Sequence, residues 1–225
     1  MPQKTYNLLQ KICKKHKVFP RQILELECWT WEILQFFTEQ SKLYGTESKE
    51  KEFQTAKQNI ATGKIYHQSL NSFRLPFQWQ LIYCTNTAFN KLTKFSDREK
   101  VFNKAAWHLE PYGLFIFHIH TEKYYQNFND QISYIEDKKN NTYTITQNKK
   151  WNNNSYSTKT QIFSKDKDEH YKLSEYSNIE TTFSINQIKK SLLQYFENIS
   201  TIDPKGKKTT TQTNSMYIIC QKWRE

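Results

Sequence analysis

The chain has 225 residues and a formal net charge of +11, from 33 Lys and Arg against 22 Asp and Glu. That length is sufficient to bury one full hydrophobic core, so we expect a single domain spanning residues 1–225. No stretch approaches the roughly 20 apolar residues that cross a bilayer, and the first residues lack the apolar core of a secretion signal. These features argue against a membrane or secreted protein and predict a cytoplasmic one.

The basic residues lie mostly in short, scattered groups, such as those at 14–17 and 205–208. Clustered Lys and Arg would indicate an anionic partner such as nucleic acid. The chain is also rich in Lys, Asn, Ile and Tyr and has only 4 Gly, a composition typical of an AT-rich coding sequence. We favour the compositional explanation and keep a nucleic-acid partner as the alternative.

The four cysteines, Cys13, Cys28, Cys84 and Cys220, lie far apart in the sequence. Their spacing matches neither a zinc site nor the framework of a small disulfide-rich domain. We therefore expect reduced thiols and no metal ion.

The first half of the chain alternates predicted helices with predicted strands. Apolar residues at helical spacing predict a helix over 5–17, and Pro20 separates it from a short apolar strand at 22–26. Further helices are predicted at 31–40, at 49–63 with Gly63 closing it, and at 98–109. Further strands are predicted up to Glu47 and at 64–69, 79–85 and 114–120, the last preceded by a turn at 111–113. This alternation predicts an α/β fold with a doubly wound, mostly parallel sheet.

The pattern changes after residue 121. Between 131 and 183, four segments alternate polar residues with aromatic or branched ones, which predicts an antiparallel β insertion in the α/β unit. Its large side chains, such as Tyr134, Tyr143 and Phe163, are typical of a half-buried sheet; a substrate pocket and a homodimer face are the alternatives. Helical periodicity resumes after Ser184, a predicted N-cap, and two strands close the sequence.

Four segments occur in the order and spacing of one known family. They are ILELECWTWE at 23–32, LYGTES at 43–48, LPFQWQLIYCTNTAFNKL at 75–92 and HLEPYGLFIFHIHT at 108–121. From about Gln22 onward, the sequence resembles the class I S-adenosylmethionine-dependent methyltransferases. It is most similar to the small-molecule group that has an antiparallel insertion after the fifth strand, as in the sugar N-methyltransferases. The resemblance implies a seven-stranded Rossmann-like methyltransferase sheet, S-adenosylmethionine as cofactor and methyl transfer to a small-molecule acceptor.

The resemblance also implies which residues hold the cofactor. Glu25, at the end of the first strand, matches the acid that holds the methionine end. Glu47, at the end of the second strand, matches the carboxylate that accepts the ribose hydroxyls, a role suited to an acceptor-only group. Ser69 falls where the family usually has an Asp near the adenine, and Cys84 ends the fourth strand beside the expected cleft.

The acceptor is expected at the carboxyl ends of the fourth and fifth strands. His118 and His120 stand two apart on the predicted fifth strand, so their side chains share one face. We predict His118 as the catalytic residue, a general base for an amine or hydroxyl, because neutral imidazole titrates near pH 7. A packing role is the alternative. Two histidines without a visible third ligand give little support to a metal site.

The loop after the first strand departs from the family's pattern. Glu27, Trp29 and Trp31 stand where the family has glycines, while Cys28 and Thr30 between them match; the resemblance implies that Glu27, Cys28 and Trp29 contact the cofactor. A blocked loop would leave a catalytically silent scaffold or partner subunit, since non-Gly residues in left-handed geometry cost about 1–2 kcal/mol each. A rebuilt loop would instead stack an indole on a ligand. Thirdly, a gene that reads UGA as glycine would show tryptophan at glycine positions when translated with UGA as tryptophan.

Overall fold

The computed structural model contains two β-sheets. It describes residues 2–37, 41–126, 131–137, 140–152 and 154–223. The helices of this part are α1 (Pro2–Lys15), α2 (Glu50–Asn59), α3 (Phe95–His108), α4 (Glu122–Tyr125) and α5 (Ile185–Leu192). The strands of the first sheet are β1 (Gln22–Leu26), β2 (Lys42–Glu47), β3 (Lys64–His67), β4 (Trp79–Cys84), β5 (Leu109–His120), β10 (Phe196–Ile202) and β11 (Ser215–Lys222). Those of the second are β6 (Gln131–Asp137), β7 (Thr142–Lys150), β8 (Ser155–Lys165) and β9 (Tyr171–Thr181).

The first sheet has seven strands in the order β3-β2-β1-β4-β5-β11-β10. Strands β1 to β5 pair in parallel, whereas β11 runs antiparallel to both of its neighbours. The chain builds outward from β1 to β3 and then returns to β4, so the strand order reverses between β1 and β4. This topology confirms the predicted mostly parallel, seven-stranded α/β sheet.

Helices cover both faces of this sheet because neighbouring residues of a strand point to opposite sides. On β1, Ile23 belongs to one buried cluster with Leu9 and Ile12 of α1. The next residue, Leu24, belongs to a second cluster with Phe102 of α3 and with residues of α5. The continuous apolar character of the central strands follows from this double burial, since a parallel sheet with helices on both faces has no solvated side.

The second sheet is the predicted antiparallel insertion, with strands in the order β6-β7-β8-β9. It joins the rest of the protein at its base. There Tyr156 of β8 stacks on Tyr125 of α4 at a ring distance of 4.2 Å, and the Tyr125 hydroxyl donates to Glu180. The Arg98 guanidinium of α3 donates to the carbonyl of Thr181 at 2.6 Å. Residues 127–130, 138–139 and 153 lie outside the described residues.

The helix predicted at 31–40 is wrong over the part that the structure describes. Only a single 3-10 turn forms, at Leu34–Phe36, and residues 38–40 lie outside the described residues. Trp31 is buried with a φ of +71°, a backbone conformation that cannot begin a right-handed helix. The apolar residues Ile33, Leu34 and Phe37 pack into the cluster beneath α1 instead.

Two predicted boundaries also differ from the structure. Helix α2 ends at Asn59, so Gly63 does not cap it but precedes β3 with a φ of +120°. The turn predicted at 111–113 does not precede the strand but lies within it, because β5 already begins at Leu109. The predicted irregularity is real, however, since Tyr112 has a φ of +61° and the pairing register with β4 shifts after Trp79.

The N-cap predicted at Ser184 is present. Its hydroxyl accepts the backbone N–H of Gln187 at 3.2 Å and so satisfies one of the free donors at the start of α5. We expect Ser184→Ala to lower the free energy of unfolding by about 1 kcal/mol, and Ser184→Asp to preserve it. Urea unfolding followed by circular dichroism checks this. Equal losses in both variants would contradict a capping role.

No helix in the described ranges is long and apolar enough to cross a membrane. The four cysteines are free thiols, all of them buried, as expected from their spacing.

Candidate functional site

A cavity of about 720 Å³ opens at the carboxyl ends of the parallel strands. It lies where the strand order reverses, beside β1 and β4, which is where open α/β sheets bind their ligands. The first residues of α1 and the segment that joins β10 to β11 form the opposite wall, through Pro2, Lys4, Thr5, Leu8 and Pro204. Its volume falls within the range of small-molecule sites.

Glu25 is a buried carboxyl in the wall of this cavity, near the end of β1. Its oxygens accept the Tyr83 hydroxyl at 2.9 Å and the Thr85 hydroxyl at 3.4 Å, both from β4 or the residue just after it. Burial raises the pKa of Glu25 to about 8, although these two hydrogen bonds oppose the shift. The described residues give Glu25 no cationic partner, so the carboxyl is suited to a positively charged ligand group that would stabilise its ionised form.

The loop after β1 has the backbone geometry of a glycine loop. Glu27, Trp29 and Trp31 have φ values of +53°, +52° and +71°, all in the left-handed region that glycine adopts freely. The family resemblance assigns glycine positions to these three residues and to neither of the residues between them. The backbone of this loop therefore favours glycine at each of the three positions where the resemblance implies one.

The two tryptophans of this loop point to different places. Trp31 is only 2% exposed and does not line the cavity; its indole contacts the β2 strand so closely that a side chain on Gly45 would lie 2.8 Å from it. Trp29 does line the cavity, but it is 50% exposed. Of the two indoles that the blocked-loop explanation places in the pocket, Trp31 is part of the core, and the cavity remains open beside Trp29.

Glu47, at the end of β2, holds the loop by its carboxylate. One oxygen accepts the N–H of Trp29 at 2.9 Å, and the other accepts the N–H groups of Ser48 and Lys49 at 3.0 and 2.9 Å. A carboxylate has about four lone-pair positions. Three are engaged by the backbone, so one is left to accept a ligand hydroxyl.

Glu27 adds a second link between the loops around the cavity. Its carboxyl accepts the Ser48 hydroxyl at 2.9 Å and the backbone N–H of Leu70 at 3.1 Å. It thereby connects the segments that follow β1, β2 and β3. Burial and the neighbouring Glu47 raise the pKa of Glu27 to about 7. These hydrogen bonds offset part of the strain of its left-handed backbone.

Two histidines of β5 also line the cavity, and each has an unsatisfied ring nitrogen. His118 Nε2 and His120 Nδ1 are buried, and neither has a hydrogen-bond partner among the described residues. His118 stacks on Tyr217 at 4.6 Å and His120 stacks on Tyr124 at 3.7 Å, while the two imidazole centroids are 5.9 Å apart. Burial lowers the pKa of each histidine to about 4, so both are neutral at pH 7.

Six of the eight predicted site residues line the cavity, namely Glu25, Glu27, Cys28, Trp29, Glu47 and His118. The other two do not. Cys84 is fully buried in the core below the cavity floor, and the Ser69 hydroxyl bonds to Ser72 and Asn71 in its own loop. Thr85 and Asn86, which follow β4, line the cavity.

Sequence reasoning missed the contribution of α1 and β11 to the site. Lys4, Thr5 and Leu8 come from a helix that precedes the first recognisable motif, and Tyr217 comes from the last strand. Nothing in the local sequence identifies these residues as part of a site. Tyr217 reaches the cavity because the pairing of β11 with β5 brings it opposite His118. The described residues contain no group of three His, Cys, Asp or Glu side chains that could hold a metal ion.

No family model matches the sequence, and a search of the curated proteins finds no match either. Solved structures do match over nearly the whole chain. An S-adenosylmethionine-dependent methyltransferase from Clostridium acetobutylicum ATCC 824 superposes with a TM-score of 0.90 at 18% identity, covering 100% of this chain and 93% of the other.

Two sugar-modifying enzymes also superpose on nearly the whole chain. CalS10, an amino pentose methyltransferase from Micromonospora echinaspora, has a TM-score of 0.81 at 10% identity, over 98% of this chain and 92% of its own. The sugar N-methyltransferase KedS8 from Streptoalloteichus sp. has a TM-score of 0.80 at 12% identity, over 98% and 87%. The fold of this chain is therefore that of the S-adenosylmethionine-dependent methyltransferases, including the sugar N-methyltransferases.

Proposed function

We propose that the protein transfers a methyl group from S-adenosylmethionine to a small-molecule acceptor. The observation that carries the proposal is the open cavity at the strand-order reversal, where Glu25, Glu47 and a loop in glycine conformation meet. One structural neighbour, CalS10, was solved with S-adenosylmethionine bound. Its fold and the acidic groups of this cavity together support the same cofactor here.

The side chains on the β1 and β2 side of the cavity fit this cofactor. Glu25 would hold its ammonium group, since a buried carboxyl without a cationic partner gains most from a positive ligand. Glu47 would accept one ribose hydroxyl through its remaining lone pair. Trp29, half exposed at the cavity wall, offers a flat apolar surface on which a purine can stack. These contacts correspond to the rebuilt-loop explanation.

The histidine side of the cavity fits the acceptor. When bound, the cofactor supplies a methyl group on a positively charged sulfur, ready for in-line displacement. His118 lines this side of the cavity, and its buried Nε2 has no partner among the described residues. After a small rotation of the ring, Nε2 would accept a hydrogen bond from an acceptor N–H or O–H and so orient the acceptor's lone pair, the positioning that contributes most to such a reaction. With a pKa near 4, His118 would accept a hydrogen bond but would not retain a proton at pH 7, so the proton released passes to water.

Calorimetric titration with S-adenosylhomocysteine, the demethylated product, tests the proposal. We expect saturable one-to-one binding by the unaltered chain and by Trp29→Gly. Glu47→Ala should weaken binding about 10- to 100-fold, since hydrogen bonds to charged groups are worth about 1.5–3 kcal/mol. Glu175→Ala, which removes an exposed acid of the insertion, is the matched control and should bind normally.

The outcomes distinguish the alternatives. Binding by Trp29→Gly alone would mean that the indole blocks the site and that the chain is silent as written. Absence of binding in every protein would overturn the proposal and favour a scaffold or partner subunit with a methyltransferase fold.

A further inference from the structure

One edge of the seven-stranded sheet carries nearly all the large apolar side chains that the protein exposes outside the insertion. It is the edge opposite the cavity, where β1 to β5 and β10 begin and where β11 ends. Of seven such side chains among the described residues, Trp29 lines the cavity and the other six lie at this edge, with exposed fractions between 43% and 78%. The six are Phe19, Phe77, Trp107, Tyr112, Leu193 and Trp223. We call the surface that they form the amino edge.

The strand order places these side chains next to one another. Phe19 and Phe77 precede β1 and β4, which are adjacent in the sheet. Tyr112 lies in the first part of β5, the next strand, and Trp223 follows β11 beyond it. The Gln221 side chain donates to the Tyr112 carbonyl at 3.4 Å, which agrees with this placement. Because neighbouring strands lie only about 4.8 Å apart, the apolar side chains form one patch.

Basic residues surround this patch although they are scattered in the sequence. The last turn of α1 reaches the amino edge, since the His16 ring lies 3.5 Å from the Gln221 side chain. None of the ion pairs within the described ranges involves a charged residue of this edge, so its positive charge is not compensated. The charged residues at the end of α1 and at the strand ends of this edge are Lys14, Lys15, Lys17, Arg21, Lys42, Lys64 and Lys222, against Glu110 and Glu197.

An apolar patch surrounded by lysines fits the surface of an anionic lipid bilayer. Aromatic side chains and Leu are typical of protein surfaces that enter the headgroup region. Each Lys or Arg close to an anionic leaflet raises the affinity about fivefold. The same face of a second copy would bring like charges together. Single-stranded nucleic acid binds in grooves, whereas these side chains stand out from the edge of a sheet.

We propose that the amino edge binds reversibly to membrane surfaces that contain anionic phospholipids. Its apolar side chains enter the headgroup region, and its lysines lie beside the lipid phosphates. Such binding needs no helix that crosses the bilayer, and the described ranges contain none. The cavity opens at the opposite edge of the sheet, so it faces away from the membrane and stays accessible to small molecules.

Flotation of the full chain with lipid vesicles tests the proposal. We expect the chain to float at about 0.15 M salt with phosphatidylcholine vesicles that contain about 30% phosphatidylserine, but not with phosphatidylcholine alone. Phe19→Ser combined with Phe77→Ser should lower the partition coefficient about 10-fold or more, because two apolar side chains no longer leave water. Arg21→Glu combined with Lys42→Glu should lower it at least about 25-fold.

Two pairs of substitutions on the insertion are the matched controls. Trp151→Ser with Tyr176→Ser removes two exposed aromatic side chains, and Lys167→Glu with Lys172→Glu reverses two exposed charges. Both control proteins should float like the unaltered chain. Circular dichroism verifies the fold of every variant, so the result does not depend on whether the protein binds S-adenosylmethionine.

Several results would overturn the proposal. They include absence of flotation by the unaltered chain, and equal losses in the control pairs, which would mean adsorption through net charge alone. Flotation that survives both amino-edge pairs assigns the contact to another surface. Binding of a fluorescent oligouridine without flotation, lost in Arg21→Glu with Lys42→Glu, would assign the edge to nucleic acid. Should a pair lose its native spectrum, the single substitutions Phe19→Ser and Lys17→Glu replace it.

Discussion

Replacing Trp31 with glycine is expected to lower the free energy of unfolding by about 2–3 kcal/mol. Trp31 is almost fully buried against β2, and removing a buried Trp side chain typically costs about 3–5 kcal/mol. Its φ of +71° offsets part of this loss, because glycine relieves about 1–2 kcal/mol of left-handed strain. Urea unfolding monitored by circular dichroism measures the difference.

Trp29→Gly is the matched control for this prediction. Trp29 has nearly the same backbone strain, with a φ of +52°, but it is half exposed. Strain relief and lost packing should nearly cancel, so we expect a change within about 1 kcal/mol. If Trp31→Gly proves as stable as the unaltered chain or more so, the loop favours glycine at position 31. The codons at 29 and 31 would then decide the matter, and two UGG codons would exclude glycine decoding.

The order of elements in the fold could be predicted because it depends on hydrophobic periodicity. Runs such as 79–84 and 114–120 are apolar on both sides of the strand, and this character alone is typical of central strands in a parallel sheet. The hydrophobic periodicity of residues 31–40 wrongly predicted a helix, because the apolar residues there have helical spacing but pack into the core from a loop. The left-handed backbone at Trp31 excludes the helix, and only the tertiary contacts of that residue reveal it.

The candidate site was predictable where it depends on strand ends. Glu25, Glu47 and His118 lie at or near the carboxyl ends of parallel strands, which meet at one edge of the sheet whatever the distance between them in sequence. Lys4 and Tyr217 were not predictable, because they reach the cavity through the docking of α1 and the antiparallel return of β11. The prediction that Cys84 contacts the cofactor has a simpler flaw. This residue belongs to the correct strand, but its side chain points into the core below the cavity.

The affinity for S-adenosylmethionine is expected to fall about eightfold when the pH is lowered from 7 to 6, a range in which the α-ammonium group of the ligand stays mostly protonated. The pKa of Glu25 is about 8 in the free protein because burial disfavours its charge, with Glu32 and Glu47 nearby adding to that effect. An ammonium group of the ligand requires the ionised carboxylate, so below pH 8 each unit costs up to tenfold in affinity. Calorimetry across this range, repeated in buffers of different ionisation enthalpy, should also detect release of about one proton at pH 7.

Glu25→Gln separates this effect from other titrations in the cavity. The amide cannot ionise, so binding should be weak and nearly independent of pH. Glu27→Gln, which removes the neighbouring carboxyl with a pKa near 7, should leave the dependence between pH 6 and 7 in place. The thermal stability of the free protein provides a second test of the raised pKa of Glu25. A carboxyl whose pKa is raised by folding favours the folded state at low pH, so the melting temperature should fall as the pH rises from about 5 through 8, and Glu25→Gln should flatten that slope. An affinity independent of pH in the unaltered chain would mean that Glu25 stays neutral in the complex, and the ligand's ammonium group would then have to lie elsewhere in the cavity.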